Sequence, residues 1–149
     1  LIQIFLLLRA KHLAILNDEE KELHATVFPG MSKVELKKLL RLGQWKEISV
    51  GHELAREGRI LEHLTLVYNG VASVFRNGNK IALLKDGDFV GEMSFIANHP
   101  ASATVTAESP LRIIEWPTKA LKGMLIRNPS MLISLQASLG SNMAQKLAT

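Results

Sequence analysis

A glycine followed at once by an acidic residue, Gly91-Glu92, opens the stretch whose residue types and spacing could do chemistry. It continues Met93-Ser94-Phe95-Ile96-Ala97, passes a turn at His99-Pro100, and resumes as Ala101-Ser102-Ala103-Thr104-Val105-Thr106-Ala107. Glycine before a short helix lets backbone N–H groups approach an anion, and a helix N-terminus favours negative charge there. Ser102 offers a hydroxyl donor to a phosphate oxygen, and Glu92 offers an acceptor to a ribose hydroxyl. Each also has a structural reading: Glu92 as a first-turn charge that stabilises its own helix, Ser102 as a hydroxyl that satisfies a turn. Met93, Phe95 and Ile96 read chiefly as core. On residue chemistry alone, 91–103 is a candidate anion cradle.

Other chemistries lack their residues. With no cysteine there is no disulfide framework, thiolate zinc site, Fe–S cluster or cysteine nucleophile. The five histidines, His12, His24, His52, His63 and His99, fall at no metal-ligand spacing. No nucleophile elbow, Walker loop or Rossmann fingerprint occurs, and local spacing pairs no carboxylates, so neither catalytic residues nor a metal site are expected. A net charge of +4 suits an anionic ligand or headgroups but is too small to argue for nucleic acid. Arg56, Arg59, Arg76, Lys80 and Lys85 read as a solvated face, with membrane-surface contact as the sharper alternative.

The elements that must position the cradle follow from pattern. In 149 residues one compact domain with a short appendage is expected. The chain opens at Leu1 with an apolar run to Leu8, then Arg9 and Lys11. This reads as an excised piece of a longer protein, its first segment being either the cut end of a membrane helix or an amphipathic helix packing on the domain or on a second copy. Helix is expected over 1–16, over 18–25 after an Asn17 cap, and from a Ser32/Glu35 capping box to Leu42, where Gly43 stops it. Short alternating runs at 45–50, 52–57, 63–69, 71–76, 79–85, 88–90, 103–108 and 111–116 predict strands. Asn77-Gly78 marks a two-residue hairpin turn. Helix returns over 118–126 and, after Asn128-Pro129, over 129–148. The last helix carries a stripe of Leu132, Leu135, Leu139, Met143 and Leu147, with Gly140 suggesting a close contact or a bend. The fold class is therefore mainly β with flanking helices: an eight-stranded antiparallel β-roll, jelly-roll-like, with N-terminal helices and a C-terminal helix. Residues 1–30 form the N-terminal helical segment and 31–149 the domain.

Gly91-Glu92-Met93 followed by Pro100-Ala101-Ser102-Ala103-Thr104-Val105 resembles the phosphate-binding cassette of cyclic nucleotide-binding domains. Gly58, Gly70 and Gly87 match that family's supporting glycines. The resemblance covers about Met31 to Thr149 and implies a β-roll whose last helix acts as a lid. It implies cyclic AMP or cyclic GMP as ligand, bound through Gly91, Glu92, Met93, Ser94, Ala101, Ser102 and Ala103, with no cofactor. One departure stands out: Ala101 occupies the place where the family has an arginine that pairs with the cyclic phosphate. Arg56, Arg59 or Arg112 would then have to reach in from another strand. The flanks, among them Leu64-Thr65-Leu66-Val67-Tyr68-Asn69-Gly70 and Leu139 to Leu147, resemble the Popeye branch, whose domain follows membrane helices, although the aspartate-rich Popeye signature is absent. The resemblance thus implies a non-enzymatic regulatory sensor within a larger signalling protein, cytoplasmic and tethered to a membrane through its N-terminus. The alternatives are a ligand-independent structural or dimerisation module, pairing through its terminal helices, or a sensor of another small anion.

Overall fold

The computed structural model describes residues 3–4 and 15–148. The helix expected over 1–16, and the membrane-exit reading of its apolar run, lie mostly outside those residues. Ile15 and Leu16 are not helical, and Leu16 is buried in the core.

Between residues 15 and 43 two helices precede the sheets, and both begin as their caps dictate. Asn17 accepts from Glu20 N while Glu20 Oε1 accepts from Asn17 N, each at 2.9 Å, and this box starts α1, Asp18–Thr26. Ser32 and Glu35 repeat the arrangement at the start of α2, Lys33–Leu42. Such boxes satisfy N–H groups that have no partner inside the helix. Leu36, Leu39 and Leu40 bury the apolar face of α2. Gly43 does end α2, but in an extended conformation rather than a left-handed one. Its lack of a side chain is needed for proximity instead: a Cβ there would come within 2.7 Å of Ile114 Cγ2 and Trp116 Nε1.

Eight strands follow: β1 Gln44–Ile48, β2 Glu53–Ala55, β3 His63–Asn69, β4 Ala72–Arg76, β5 Asn79–Leu84, β6 Phe89–Val90, β7 Thr104–Ala107 and β8 Leu111–Pro117. They form two antiparallel four-stranded sheets, ordered β1-β8-β3-β6 and β2-β7-β4-β5. The first sheet is covered on both faces. Leu64, Leu66, Phe89, Ile114 and Trp116 pack with the helices, whereas Val67, Val90, Leu111 and Ile113 pack with the second sheet. Strands covered on both faces bury successive side chains, so Leu64, Leu66 and Val67 of β3 and Leu111, Ile113 and Ile114 of β8 are all buried, with only Thr65 and Arg112 interrupting the apolar residues. Asn77 and Gly78 take φ of 52° and 79°, the left-handed pair a two-residue hairpin between β4 and β5 requires.

The remaining helices are α3, Glu92–Ala97, between β6 and β7, then α4, Thr118–Arg127, and α5, Pro129–Ala148. Asn128 joins the end of α4 to the start of α5. Its amide donates back to Met124 O at 2.8 Å, and its own carbonyl receives the first N–H groups of α5. The buried seam of α5 is Met131, Leu135, Leu139 and Asn142, with Leu132 only partly buried. At Gly140 a Cβ would meet nothing within 4 Å among the described residues, so the expected close contact is absent. No helix among these residues is long and apolar enough to cross a membrane.

Two carboxylates tie the helices together. Glu20 accepts from Lys37 at 2.7 Å, joining α1 to α2, and Glu35 accepts from Ser130 at 2.5 Å, joining α2 to α5. Partial burial raises both carboxyls, but it is outweighed: by Asn17 N–H and Lys37 for Glu20, by Ser130 and Ser32 for Glu35. Both lie below the ordinary value of 4.5, so they stabilise the fold above that pH, and the contribution is lost as pH falls through the depressed values. Denaturant titrations between neutral and acid pH should show a Glu20→Gln/Glu35→Gln double variant losing less stability on acidification than the parent. Parallel losses would refute the assignment.

Candidate cyclic nucleotide site

The hollow between the sheets exists because the second sheet and the cassette present small side chains there. Ala55, Ala82, Ala101, Ala103 and Val105 all border it, leaving a cavity of about 360 Å³. All seven residues singled out in the sequence, Gly91, Glu92, Met93, Ser94, Ala101, Ser102 and Ala103, line this one cavity. A larger and shallower hollow of about 670 Å³ lies elsewhere, against Glu47, Tyr68 and Arg112, and shares none of them.

Gly91 supplies the turn from β6 into α3. Its φ is +92°, and a Cβ would lie 3.0 Å from both His63 O and Leu61 Cδ1. Conformation and space therefore both demand glycine. Phe95 N closes the first turn of α3 onto Gly91 O at 2.9 Å. Phe95 is core as expected, but Met93 and Ile96 are 40% and 52% exposed, so neither belongs to the core. The correction has a simple cause: a single turn of helix has one buried face, and Ser94 and Phe95 occupy it.

Glu92 is partly buried, with its Oε2 shut off from solvent. Ser94 is buried, and its hydroxyl donates to His99 O at 2.5 Å, closing the loop that carries the chain from α3 to the proline turn. Ala101 is held from both sides. Its N–H donates to Arg59 O and its carbonyl accepts from Gly58 N, each at 2.8 Å. Gly58, Gly70 and Gly87 all adopt positive φ, a conformation that favours glycine at each position.

None of Arg56, Arg59 and Arg112, the alternatives for reaching in from another strand, is among the residues that border the cavity. Arg56 pairs with Glu53 at 2.7 Å. Arg112 stacks over Trp45 at 4.5 Å, lies 5.6 Å from Tyr68 and pairs with Glu19, locking α1 to the first sheet. Arg59 contributes its backbone only. Arg76 is exposed, as expected of a solvated face, but it also lines the cavity, and its Nε donates to Ser102 O at 3.1 Å. Nothing local in the sequence separates Arg76 from Lys80 or Arg56. Its placement depends on the pairing of β4 with β7.

Leu61, Val74, Ile81, Leu83, Leu84, Phe89 and Val90 complete the apolar wall. No described residue of α5 is among them. The helix is held elsewhere: Asn142 Nδ2 donates to Asp88 Oδ1 at 2.8 Å, and its Oδ1 accepts from Phe89 N at 3.3 Å. These contacts attach α5 to the turn three residues before Gly91. Among the described residues no cluster of His, Cys, Asp or Glu could hold a metal ion.

A roll of two four-stranded sheets, with a glycine-led single-turn helix inserted between β6 and β7, defines the class. Residues 45–128, more than half of the chain, match the family model for the cyclic nucleotide-binding domain, and the chain belongs to that family. It is similar to a cGMP-dependent protein kinase of Toxoplasma gondii, 36% identical over 58 residues that make up 39% of this chain and 6% of the kinase. It is also similar to a cAMP-dependent protein kinase regulatory subunit of Yarrowia lipolytica, 34% identical over 68 residues, 44% of this chain and 18% of that subunit. The crystal structure of a cyclic nucleotide-binding domain from Methylobacillus flagellatus shares the fold, with a TM-score of 0.78, 23% identity, and coverage of 87% of this chain and 78% of that one. The chain thus spans only a small part of the two kinase-related proteins it matches.

Proposed function

We propose that this domain binds cyclic AMP or cyclic GMP in the 360 Å³ cavity and acts as a regulatory sensor without catalysis of its own. The observation that carries this reading is the convergence of all seven cassette residues on one hollow of ligand size. The cyclic phosphate would meet the 91–94 turn and Ser102, and Glu92 would accept from the ribose 2′-hydroxyl. The base would lie against the exposed apolar rim of Ile81, Leu83 and Met93. Ala101 makes this a weaker site than an arginine-bearing cassette would be.

Output would pass through α5. A ligand drives a conformational change only through a difference in affinity between two states. The Asn142–Asp88 and Asn142–Phe89 bonds join α5 to the strand that ends at Gly91, so rearrangement of the cassette would work directly against them.

Calorimetric titration with each nucleotide tests the reading. Saturable binding is expected, and Glu92→Gln should weaken it about tenfold through loss of a charge-assisted hydrogen bond. No heat from either nucleotide at millimolar concentration would overturn the proposal and favour a ligand-independent module.

A further inference from the structure

The cassette lacks its own cation, and acidic Glu92 is among the residues that line the cavity, so an anionic ligand entering it needs a positive charge from elsewhere in the chain. Resting on the cyclic nucleotide reading, we infer that Arg76 of β4 supplies that charge, so that the anion is held across two strands and not by the cassette alone.

Arg76 is placed for this by the pairing of its strand. Val74 pairs with Val105 and Phe75 with Thr104, so the next position, Arg76, falls beside Ala103. Side chains two apart on a strand share a face, and Val74 and Arg76 both line the cavity. The Nε–H of Arg76 donates to Ser102 O at 3.1 Å, which brings the guanidinium to the backbone between Ala101 and Ala103. The strand end that carries it is well anchored. Asn77 and Gly78 form the tight turn immediately after it, and Asn77 N donates to Glu57 Oε2 at 3.1 Å. Glu57 N in turn donates to Thr104 Oγ1 at 3.1 Å, tying the 57–58 turn to β7. Gly58 and Arg59 of the same turn hold Ala101. Arg76 and Ala101 therefore sit on one hydrogen-bonded frame, with arginine on β4 and alanine in the cassette. A guanidinium presents several N–H donors in a fixed fork, so engagement of Nε by Ser102 O orients the group toward the cassette backbone.

The test is titration of the whole chain with cyclic AMP and cyclic GMP, using Arg76→Gln and the double variant Arg76→Gln/Ala101→Arg, with thermal melts to confirm folding. Arg76→Gln should weaken binding about ten- to a hundredfold, the effect of losing one charge-assisted contact to the anion. The double variant should recover most of that loss, because the charge returns from the other side of the same frame. A structural role for Arg76 in the hairpin would not be rescued in this way. Arg76→Gln binding within about twofold of the parent would overturn the inference and leave the proposed function standing. A loss that Ala101→Arg does not restore would overturn it as well. A parent chain silent toward both nucleotides would remove the inference together with the function it rests on.

Discussion

Replacing Trp116 by alanine should destabilise the domain by about 3–5 kcal/mol, measured as a shift in urea-unfolding free energy. Trp116 is 1% exposed and is among the largest side chains in the core. It pairs across the first sheet with Leu64 and packs in the cluster that joins sheet to helices. Its Nε1–H donates to Leu39 O at 2.7 Å, a second bond to a carbonyl in the last turn of α2 that also accepts from Gly43 N. The backbone of Gly43 lies so close that a Cβ there would come within 2.7 Å of Nε1. Truncation would therefore open a large void and remove the side-chain hydrogen bond to α2 at once. Trp116→Phe keeps most of the volume and should cost less, with about 1 kcal/mol of its effect from the lost hydrogen bond. Since domain stability is only about 5–15 kcal/mol, the alanine variant consumes a large share of it. An alanine variant within about 1 kcal/mol of the parent would show that the sheet–helix joint is not where the stability resides.

Ala101→Arg should strengthen cyclic nucleotide binding about ten- to a hundredfold, corresponding to about 1.5–3 kcal/mol for a hydrogen bond to a charged group. The backbone at 101 needs no adjustment, because its N–H and carbonyl are already bonded to Arg59 and Gly58. The side chain borders an open cavity of about 360 Å³, so the longer group has room to extend. The gain should appear in calorimetry with either nucleotide and should shrink as salt is raised, as expected for a partly exposed ion pair. An unchanged affinity would mean that the anion does not sit against 101–103, and the cassette would lose its assigned role.

The last helix, α5, is held away from the cavity. Its apolar seam is buried among the helices, and Ser130, Ser134 and Asn142 bond to Glu35, Gly30 and Asp88 respectively. Four apolar side chains around the cassette and β5, Ile81, Leu83, Met93 and Ile96, are between 40% and 52% exposed. A helix that moved onto them would have to leave part of its present packing, which is how ligand affinity and helix position become energetically linked.

Much of this was legible from the residues. The Asn17/Glu20 and Ser32/Glu35 boxes start α1 and α2 as expected, and Asn77-Gly78 turns where it should. The eight strands lie close to the expected runs, and the seven cassette residues come together. All of these depend on local rules: a cap acts over three residues, a tight turn over two, and alternation over a single strand. The misses share the opposite character. Met93 reads as core by type but is 40% exposed, and the stripe expected on α5 omits Met131 and Asn142, which are buried; Arg76 is exposed as its charge suggests, yet it also borders the cavity.

The amino-acid sequence by itself determined the order and kind of the elements, the position of the cassette and the absence of an arginine within it. Tertiary structure alone decided the size of the hollow, the arginine that borders it and the face on which the last helix rests. Arg76 meets Ser102 across 26 residues of chain, and Asn142 meets Asp88 across 54. No local periodicity encodes such contacts, because they follow from which strands pair and how two sheets close on one another.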